Sequence, residues 1–195
     1  SGEKYNGFVW WDCEIYQLPF FIYTLPDLAR NSLMYRYRML KRARQNAAEA
    51  GYKGAKFAFC SSVSGDERVW IYARHPFLQI HINADVAYGI INYYRVTGDD
   101  EFMTDYGLEM LCETARYWIS RAEFKNGKYF YDNVTGTDEH HLFVNNDAYT
   151  NYLVNFVLKK TLEYIEKFAD IRKEWSLKAD EIAKISDVIE KMYLP

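Results

Sequence analysis

The sequence predicts an all-α fold, built from helices arranged as antiparallel pairs side by side. Three observations predict it. Apolar residues recur at spacings of three and four along most of the chain, strand-period alternation is nearly absent, and turn signals divide the periodic runs into a helix-loop-helix rhythm. With 195 residues, 49% of them hydrophobic, the chain is long enough to bury a sizeable core in one domain.

Taken in order, Trp10 to Thr24 is an apolar, aromatic segment expected to be helical, with Pro19 as an interruption. From about Asp27 to Ala50, Leu33, Tyr37, Leu40, Ala43 and Ala47 share one face, and Gly51 ends the run as a C-terminal cap would. From about Leu78 to Val96, Ile80, Ala84, Ala87, Ile91 and Tyr94 form an apolar stripe beside a polar one of His81, Asp85, Tyr88 and Asn92. That helix ends at the turn-like Thr97-Gly98-Asp99-Asp100. A helix over about Asp100 to Arg121 carries Leu108, Leu111, Ala115 and Trp118, one over about Asn146 to Phe168 carries Val154, Leu158, Thr161 and Ile165, and one over about Leu177 to Met192 carries Ile182, Ile185, Ile189 and Met192.

Strand signals are confined to Arg68 to Tyr72 and to Lys128 to Asn133, the latter after the Asn126-Gly127 turn, so at most a small β-hairpin is expected. The connections Tyr52 to Phe77 and Glu123 to Asn145 exceed the ~12 to 15 residues of ordinary structureless loops. They are rich in aromatic residues, which makes both candidate site loops. His75, standing before Pro76, reads as a loop residue.

Charge and composition exclude several classes of function. Twenty-four basic and 27 acidic residues leave a net charge of -3 with no basic stripe, so nucleic acid is not an expected partner. The sequence contains neither a membrane-length apolar run nor a signal-peptide pattern, and we expect a soluble, cytoplasmic chain. Cys13, Cys60 and Cys112 are widely spaced and without a CxxC pair, as expected of free thiols in a reducing compartment. Aromatic residues make up 18% of the chain, including 18 Tyr and 5 Trp. Rings with a polar tip suit the faces and edges of sugars, which points towards carbohydrate.

The densest group of chemically capable residues is Asp138-Glu139-His140-His141, followed by an Asn-rich aromatic segment ending in Ala148-Tyr149-Thr150-Asn151. Four adjacent residues cannot all converge on one ion, and a helical zinc site would place its histidines at i and i+4, so no metal is expected here. A catalytic carboxylate with supports and a solvated loop are the remaining readings of the residues themselves.

Several motifs, in order, resemble glycoside hydrolase family 65, the inverting maltose, kojibiose, nigerose and trehalose phosphorylases and their hydrolytic relatives. Tyr5 to Glu14, with Gly7-Phe8-Val9-Trp10-Trp11-Asp12-Cys13-Glu14, is similar to the family's Gly-x-x-Phe-Trp-Asp-Thr-Glu. The resemblance continues through Arg36-Tyr37-Arg38, Gly51 to Ala55, His81 to Tyr88 and Glu113-Thr114-Ala115-Arg116. Where the family has Gly-Pro-Asp-Glu-Tyr-His and then Val-Asp-Asn-Asn-Ala-Tyr-Thr-Asn, this chain keeps Gly136, Asp138, Glu139, His141, Val144, Asn146 and Ala148 to Asn151.

The resemblance implies a fold of about half an (α/α)6 toroid. Residues 1–195 would be part of the catalytic domain, without the family's N-terminal β-sandwich, the second half of the toroid and the C-terminal domain. A start at Ser1-Gly2-Glu3 agrees with a cut or processed chain. By the same resemblance the full-length parent carries out inverting phosphorolysis of an α-linked glucose disaccharide to glucose 1-phosphate, with inorganic phosphate as co-substrate and no cofactor. Hydrolysis on the same scaffold and an inert helical fragment are the alternatives. Glu139 would be the general acid, Trp11 and Asp12 the residues gripping the glucosyl unit, and Asp138, His141, Asn146, His81 and Asp85 their supports. Inversion requires a protonated acid on the leaving oxygen and a nucleophile at the opposite face. Burial or a neighbouring negative charge must keep such an acid protonated, and Asp138 is a candidate for that charge.

The chain departs from the family at the acceptor side. Ala58-Phe59-Cys60-Ser61 stands for Pro-Trp-Glu-Ser, Thr137 for Pro, His140 for Tyr, and Leu142 and Phe143 for an acid and a polar residue; Asn145 and Asp147 exchange Asp and Asn. An unusual acceptor sugar is therefore expected. The isolated chain should be inactive, and half a toroid exposes apolar faces, so association with copies of itself is expected.

Overall fold

A computed structural model describes residues 6–69, 73–171 and 173–195. The predicted all-α character holds, with helices supplying the core and two small antiparallel strand pairs at its margins.

Strand β1 (Val9–Trp10) pairs with β2 (Cys60–Ser61), Val9 opposite Ser61 and Trp10 opposite Cys60. The expected helix from Trp10 therefore begins later. A π-helical turn, Cys13–Gln17, runs directly into α1 (Leu18–Thr24), and Pro19 lies in the first turn of α1, where its fixed φ and missing N–H are tolerated. Pro19 starts a helix rather than interrupting one.

The long helix expected over Asp27 to Ala50 is two, α2 (Pro26–Arg38) and α3 (Leu40–Glu49). Met39, with ψ of -3°, divides them, and its N–H is shared between the carbonyls of Tyr35 at 3.2 Å and Arg36 at 3.1 Å. Such tight bonding marks the end of one helix as the next begins. Beyond the loop, the one-turn helix α4 (His75–Leu78) precedes α5 (Ile82–Thr97), which Gly98 ends in the left-handed conformation with its N–H on the Tyr94 carbonyl.

Helix α5 is the centre of the core and packs against α1, α2, α7 and α8. Its predicted apolar stripe is buried, but so are His81, Asn83 and Asp85 on its other side, because neighbours cover it all round. The segment expected as one helix from Asp100 is α6 (Asp100–Phe102), a π-helical turn (Met103–Gly107) and α7 (Leu108–Arg121), with the Asp99 carboxylate accepting from the Phe102 N–H at 2.9 Å. The expected hairpin forms as β3 (Glu123–Lys125) and β4 (Lys128–Phe130) around Asn126 and Gly127, both with positive φ. Of the other expected strand, residues 70–72 lie outside the described residues, and Arg68 and Val69 form no strand. Helices α8 (Ala148–Lys167) and α9 (Ala179–Lys191) complete the chain, α9 lying on α7, α8 and β4.

Among the described residues no helix is long and apolar enough to cross a membrane. One flank of the molecule leaves Tyr16, Phe20, Tyr23, Leu25 and Leu28 exposed, along the first π-helical turn, α1 and the start of α2.

Candidate functional site

The site is built where the start of α5, the start of α8 and the segment between β4 and α8 meet. His81, at the N-cap of α5, and Asp85, one turn further on, are both fully buried, and His81 Nδ1 lies 2.7 Å from Asp85 Oδ2. Asp85 Oδ1 accepts the Tyr149 hydroxyl at 2.7 Å. Burial pushes the Asp85 carboxyl above its ordinary range, against the pull of His81 and Tyr149, and burial together with the Asp85 charge pushes the Tyr149 phenol up. Asp85 thus fixes the imidazole tautomer: Nδ1–H faces the carboxylate, which leaves Nε2 as an acceptor.

That Nε2 lies 3.4 Å from Gln79 Nε2, which also donates to the Gly136 carbonyl at 2.9 Å. Trp11 packs edge to face on the His81 ring at 5.0 Å, and Tyr149 does so at 5.4 Å. His81 and Asp85, expected to buttress the site rather than react, are buried and bonded to each other. Trp11 is 7% exposed, whereas Asp12 beside it is open to solvent at the head of the π-helical turn.

The loop carrying Glu139 is closed at its base by reciprocal bonds between Val134 and Val144, N to O at 2.9 and 2.8 Å. Below them the Thr135 N–H donates to the Leu78 carbonyl at 3.0 Å. Asn146, with φ of 56°, accepts from the Tyr131 N–H and Asn151 and donates to Asp132, while Asn145 accepts from the Asn133 N–H. Asp147 caps α8 by accepting from both the N–H and the hydroxyl of Thr150 at 2.8 Å. The Asn-rich stretch is therefore a fastening that determines where the loop leaves the helical core.

At the tip, Asp138 faces its own neighbours. Its carboxylate accepts from the His140 N–H at 3.0 Å and lies 2.6 Å from His141 Nδ1, contacts that hold it below the usual carboxylate range, the backbone N–H foremost. His141 is consequently placed on Asp138 and not on Glu139. The Glu139 side chain, 47% exposed, instead has Oε2 3.7 Å from Nε2 of His75. His75 opens α4 and is no loop residue; its ring meets Phe59 edge to face at 5.5 Å, and Phe59 meets Trp10 at 5.1 Å. The backbone of Phe59 is pinned in turn by Glu67, whose carboxylate accepts the N–H groups of Phe59 and Cys60 at 2.7 and 2.8 Å.

Sequence reasoning missed Gln79, Tyr149 and His75 as members of this site, although Tyr149 lies inside one of the motifs. It also missed the buried Glu14–Arg36 pair, which reaches the Trp10 carbonyl through Arg36 Nη2. A separate cavity of about 300 Å³ lies between the first π-helical turn, α1 and α2, with Glu14, Leu18, Leu33 and Tyr35 among its walls. Glu139 does not line it, and the chemistry is better located by the converging side chains than by that space. Among the described residues no group of three or more His, Cys, Asp or Glu side chains could hold a metal ion.

Comparison with known proteins adds an independent line. The sequence profile of the glycosyl hydrolase family 65 central catalytic domain matches residues 1–195. The whole chain is 52% identical to a 3-O-alpha-D-glucosyl-L-rhamnose phosphorylase of Lachnoclostridium phytofermentans, covering 26% of that protein. It is 44% identical to a kojibiose phosphorylase of Caldanaerobacter subterraneus, covering 28% of it, and 36% identical to a maltose phosphorylase of Bacillus subtilis, covering 26%. A solved structure from the human microbiome, provisionally titled a kojibiose phosphorylase, superposes with a TM-score of 0.90 at 30% identity over 98% of this chain and 29% of that one. The chain thus spans little more than a quarter of the length of these relatives, and its helices are those of a piece of an (α/α) toroid.

Proposed function

The chain belongs to glycosyl hydrolase family 65, and from that premise we propose that the longer protein containing it cleaves an α-linked glucose disaccharide with inorganic phosphate and inversion. In this reading the glycosidic bond between C1 and the bridging oxygen breaks, its electron pair passes to that oxygen, and Glu139 supplies the proton. A phosphate oxygen bonds to C1 from the opposite face, giving β-glucose 1-phosphate and the free acceptor sugar. No cofactor is needed. The rest of the protein completes the toroid and brings the phosphate-binding residues.

The observation that carries the proposal is the seat of Glu139. It is the carboxylate at the tip of a loop fastened at both ends, turned towards His75, whose ring packs on Phe59. Trp11 and Asp12 would bracket the glucosyl unit, one as an apolar floor and the other as an acceptor for its hydroxyls. His81 and Asp85 support Trp11 from beneath, Asn146 fastens the base of the Glu139 loop, and His141 with Asp138 shapes its tip.

For the acceptor we propose L-rhamnose or a similar 6-deoxy sugar. The phosphorylase of Lachnoclostridium phytofermentans at 52% identity carries that sugar in its name. Leu142 and Phe143, exposed on the Glu139 loop, offer apolar surface to a methyl group where the family has an acid and a polar residue. The unpaired cysteines agree with a cytoplasmic enzyme.

The test is an assay of the full-length protein for β-glucose 1-phosphate release from 3-O-α-glucosyl-rhamnose, kojibiose, trehalose and maltose, with and without phosphate. Phosphate-dependent release, strongest with the rhamnoside and abolished in Glu139→Gln, is expected. Undiminished turnover in Glu139→Gln would overturn the acid assignment, and phosphate-independent glucose release would make the protein a hydrolase.

A further inference from the structure

We infer that Gln79 is a positioning residue for the proposed acid: its buried amide ties the point at which the Glu139 loop leaves the core to the imidazole on which Trp11 packs. The inference rests on Glu139 being the general acid. It adds how that acid is held in register with the segment proposed to grip glucose.

The place where the loop leaves the core is sharply defined. Val134, Thr135 and Gly136 are buried, whereas residues 137–143 are exposed. Up to Gly136 the chain is bonded to its surroundings: Val134 to Val144, the Thr135 N–H to the Leu78 carbonyl at 3.0 Å, and the Gly136 carbonyl to Gln79 Nε2 at 2.9 Å. Beyond it, among the described residues, the hydrogen bonds of 137–143 stay within the tip, where Asp138 takes the His140 N–H and His141. Gln79 therefore holds the last fastened point before Glu139, three residues further on.

The other side of the amide is equally fixed. Gln79 is 2% exposed, and His81 and Asp85 are fully buried. Asp85 accepts the His81 Nδ1–H, so Nε2, 3.4 Å from Gln79 Nε2, is an acceptor, as is the Gly136 carbonyl. Two acceptors facing one atom call for two N–H donors on it, which a primary amide supplies without bringing a charge into the core. The same requirement assigns the amide orientation, with Nε2 turned to both. Trp11 stands on that imidazole, edge to face at 5.0 Å. The neighbouring bond from Thr135 to Leu78 cannot make this link, because it joins backbone to backbone and reaches no residue on the sugar side.

Without the two donors the Gly136 carbonyl is left buried and unpaired. Its relief is for the limb from Gly136 to Asp138 to turn outwards to water, which carries the Glu139 carboxyl away from the leaving oxygen. A displacement of about 1 Å suffices to cost on the order of a hundredfold in rate.

The experiment compares two substrates, each with phosphate, on the full-length protein and on Gln79→Met, which keeps the length of the side chain and removes both donors. The best disaccharide substrate needs a proton on its bridging oxygen. Glucosyl fluoride of the α configuration does not, since the C1–F bond breaks with its electron pair leaving on fluoride while a phosphate oxygen bonds to C1. We expect kcat for the disaccharide to fall at least about tenfold with KM within about twofold, and turnover of the fluoride to stay within about threefold. A general loss of structure would lower both alike.

Unchanged disaccharide turnover in a folded Gln79→Met overturns the inference, and so does an equal loss on both substrates. If Gln79→Met does not fold, Gln79→Asn, whose amide is withdrawn by one methylene, must show the same selective loss. Failure of both variants to fold makes Gln79 a structural residue and equally overturns it. Glu139→Gln separates the two readings: if it retains the disaccharide reaction the acid assignment fails, whereas a selective loss in Glu139→Gln beside an equal loss or none in Gln79→Met sinks the role of Gln79 alone.

Discussion

Arg36 grips Glu14 through two parallel hydrogen bonds, Nε to Oε1 at 2.6 Å and Nη2 to Oε2 at 2.8 Å, and both side chains are buried. The pair joins the first π-helical turn to α2, and Arg36 Nη2 also reaches the Trp10 carbonyl at 3.5 Å, next to the proposed sugar-gripping segment. A bidentate guanidinium-carboxylate contact fixes orientation as well as distance.

Removing one partner would strand the other charge in the core, at a cost of about 3 to 5 kcal/mol. We therefore expect Glu14→Gln and Arg36→Met each to lower the denaturant midpoint of the intact protein sharply. Replacing both with apolar residues of similar volume should recover much of the loss, since a buried pair gains little over good packing. Single variants within about 1 kcal/mol of the parent in urea unfolding would show that water reaches the pair.

Asp85 leads to a prediction about pH. Burial raises its carboxyl above the ordinary value, so ionisation is harder in the fold than in the unfolded chain. Its contribution to stability is complete below the unfolded value of about 3.9 and is lost as pH rises through the higher folded value. His81 and Tyr149 limit that loss by bonding the ionised form. In Tyr149→Phe one of these bonds is gone, so the deficit should be small near pH 4 and grow towards neutrality, to about 1 to 3 kcal/mol. Asp85→Asn should flatten the dependence. A Tyr149→Phe deficit of equal size at both pH values in thermal or urea unfolding would show that Asp85 does not ionise in the fold.

Periodicity made the core helices legible, because α5 and α7 bury their stripes as spaced, while α8 leaves Ile165 and α9 leaves Ile182 and Ile189 partly buried. It could not reveal the two π-helical turns, which add a residue without changing which residue types are apolar. The β1–β2 pairing was also hidden: two residues per strand, about 50 positions apart in the chain, carry no local signal. Within the site, the motif resemblance singled out Glu139, yet the partner it faces is a tertiary fact. His75 before Pro76 reads as a turn because proline punctuates loops, whereas here the proline stands in the first turn of α4 and the preceding histidine faces Glu139. Asp138 misled in the opposite sense. Adjacency in sequence suggested a charge acting on Glu139, but the local Asp-x-x-His geometry closes on itself.

Gly136 supplies the last prediction. A Cβ there would stand 2.3 Å from Asp147 Oδ1 and 2.5 Å from its Cγ, inside any tolerable contact. Gly136→Ala must therefore either displace the cap of α8 or push the loop outwards, and Glu139 is only three residues further along. Losing the cap alone, as in Asp147→Ala, costs about 1 kcal/mol. Moving a catalytic group by about 1 Å can cost on the order of a hundredfold in rate. We expect Gly136→Ala to lower kcat of the intact protein by at least about tenfold with little change in KM, since the clash alters the aim of the proposed acid rather than the groups proposed to hold glucose. In the Asp147→Ala background the obstructing carboxylate is absent, so the same glycine change should cost much less, a coupling that a double-mutant cycle on kcat measures directly. Additive effects, or full activity in Gly136→Ala, would mean that the loop moves aside freely and that its fastening does not set the position of Glu139.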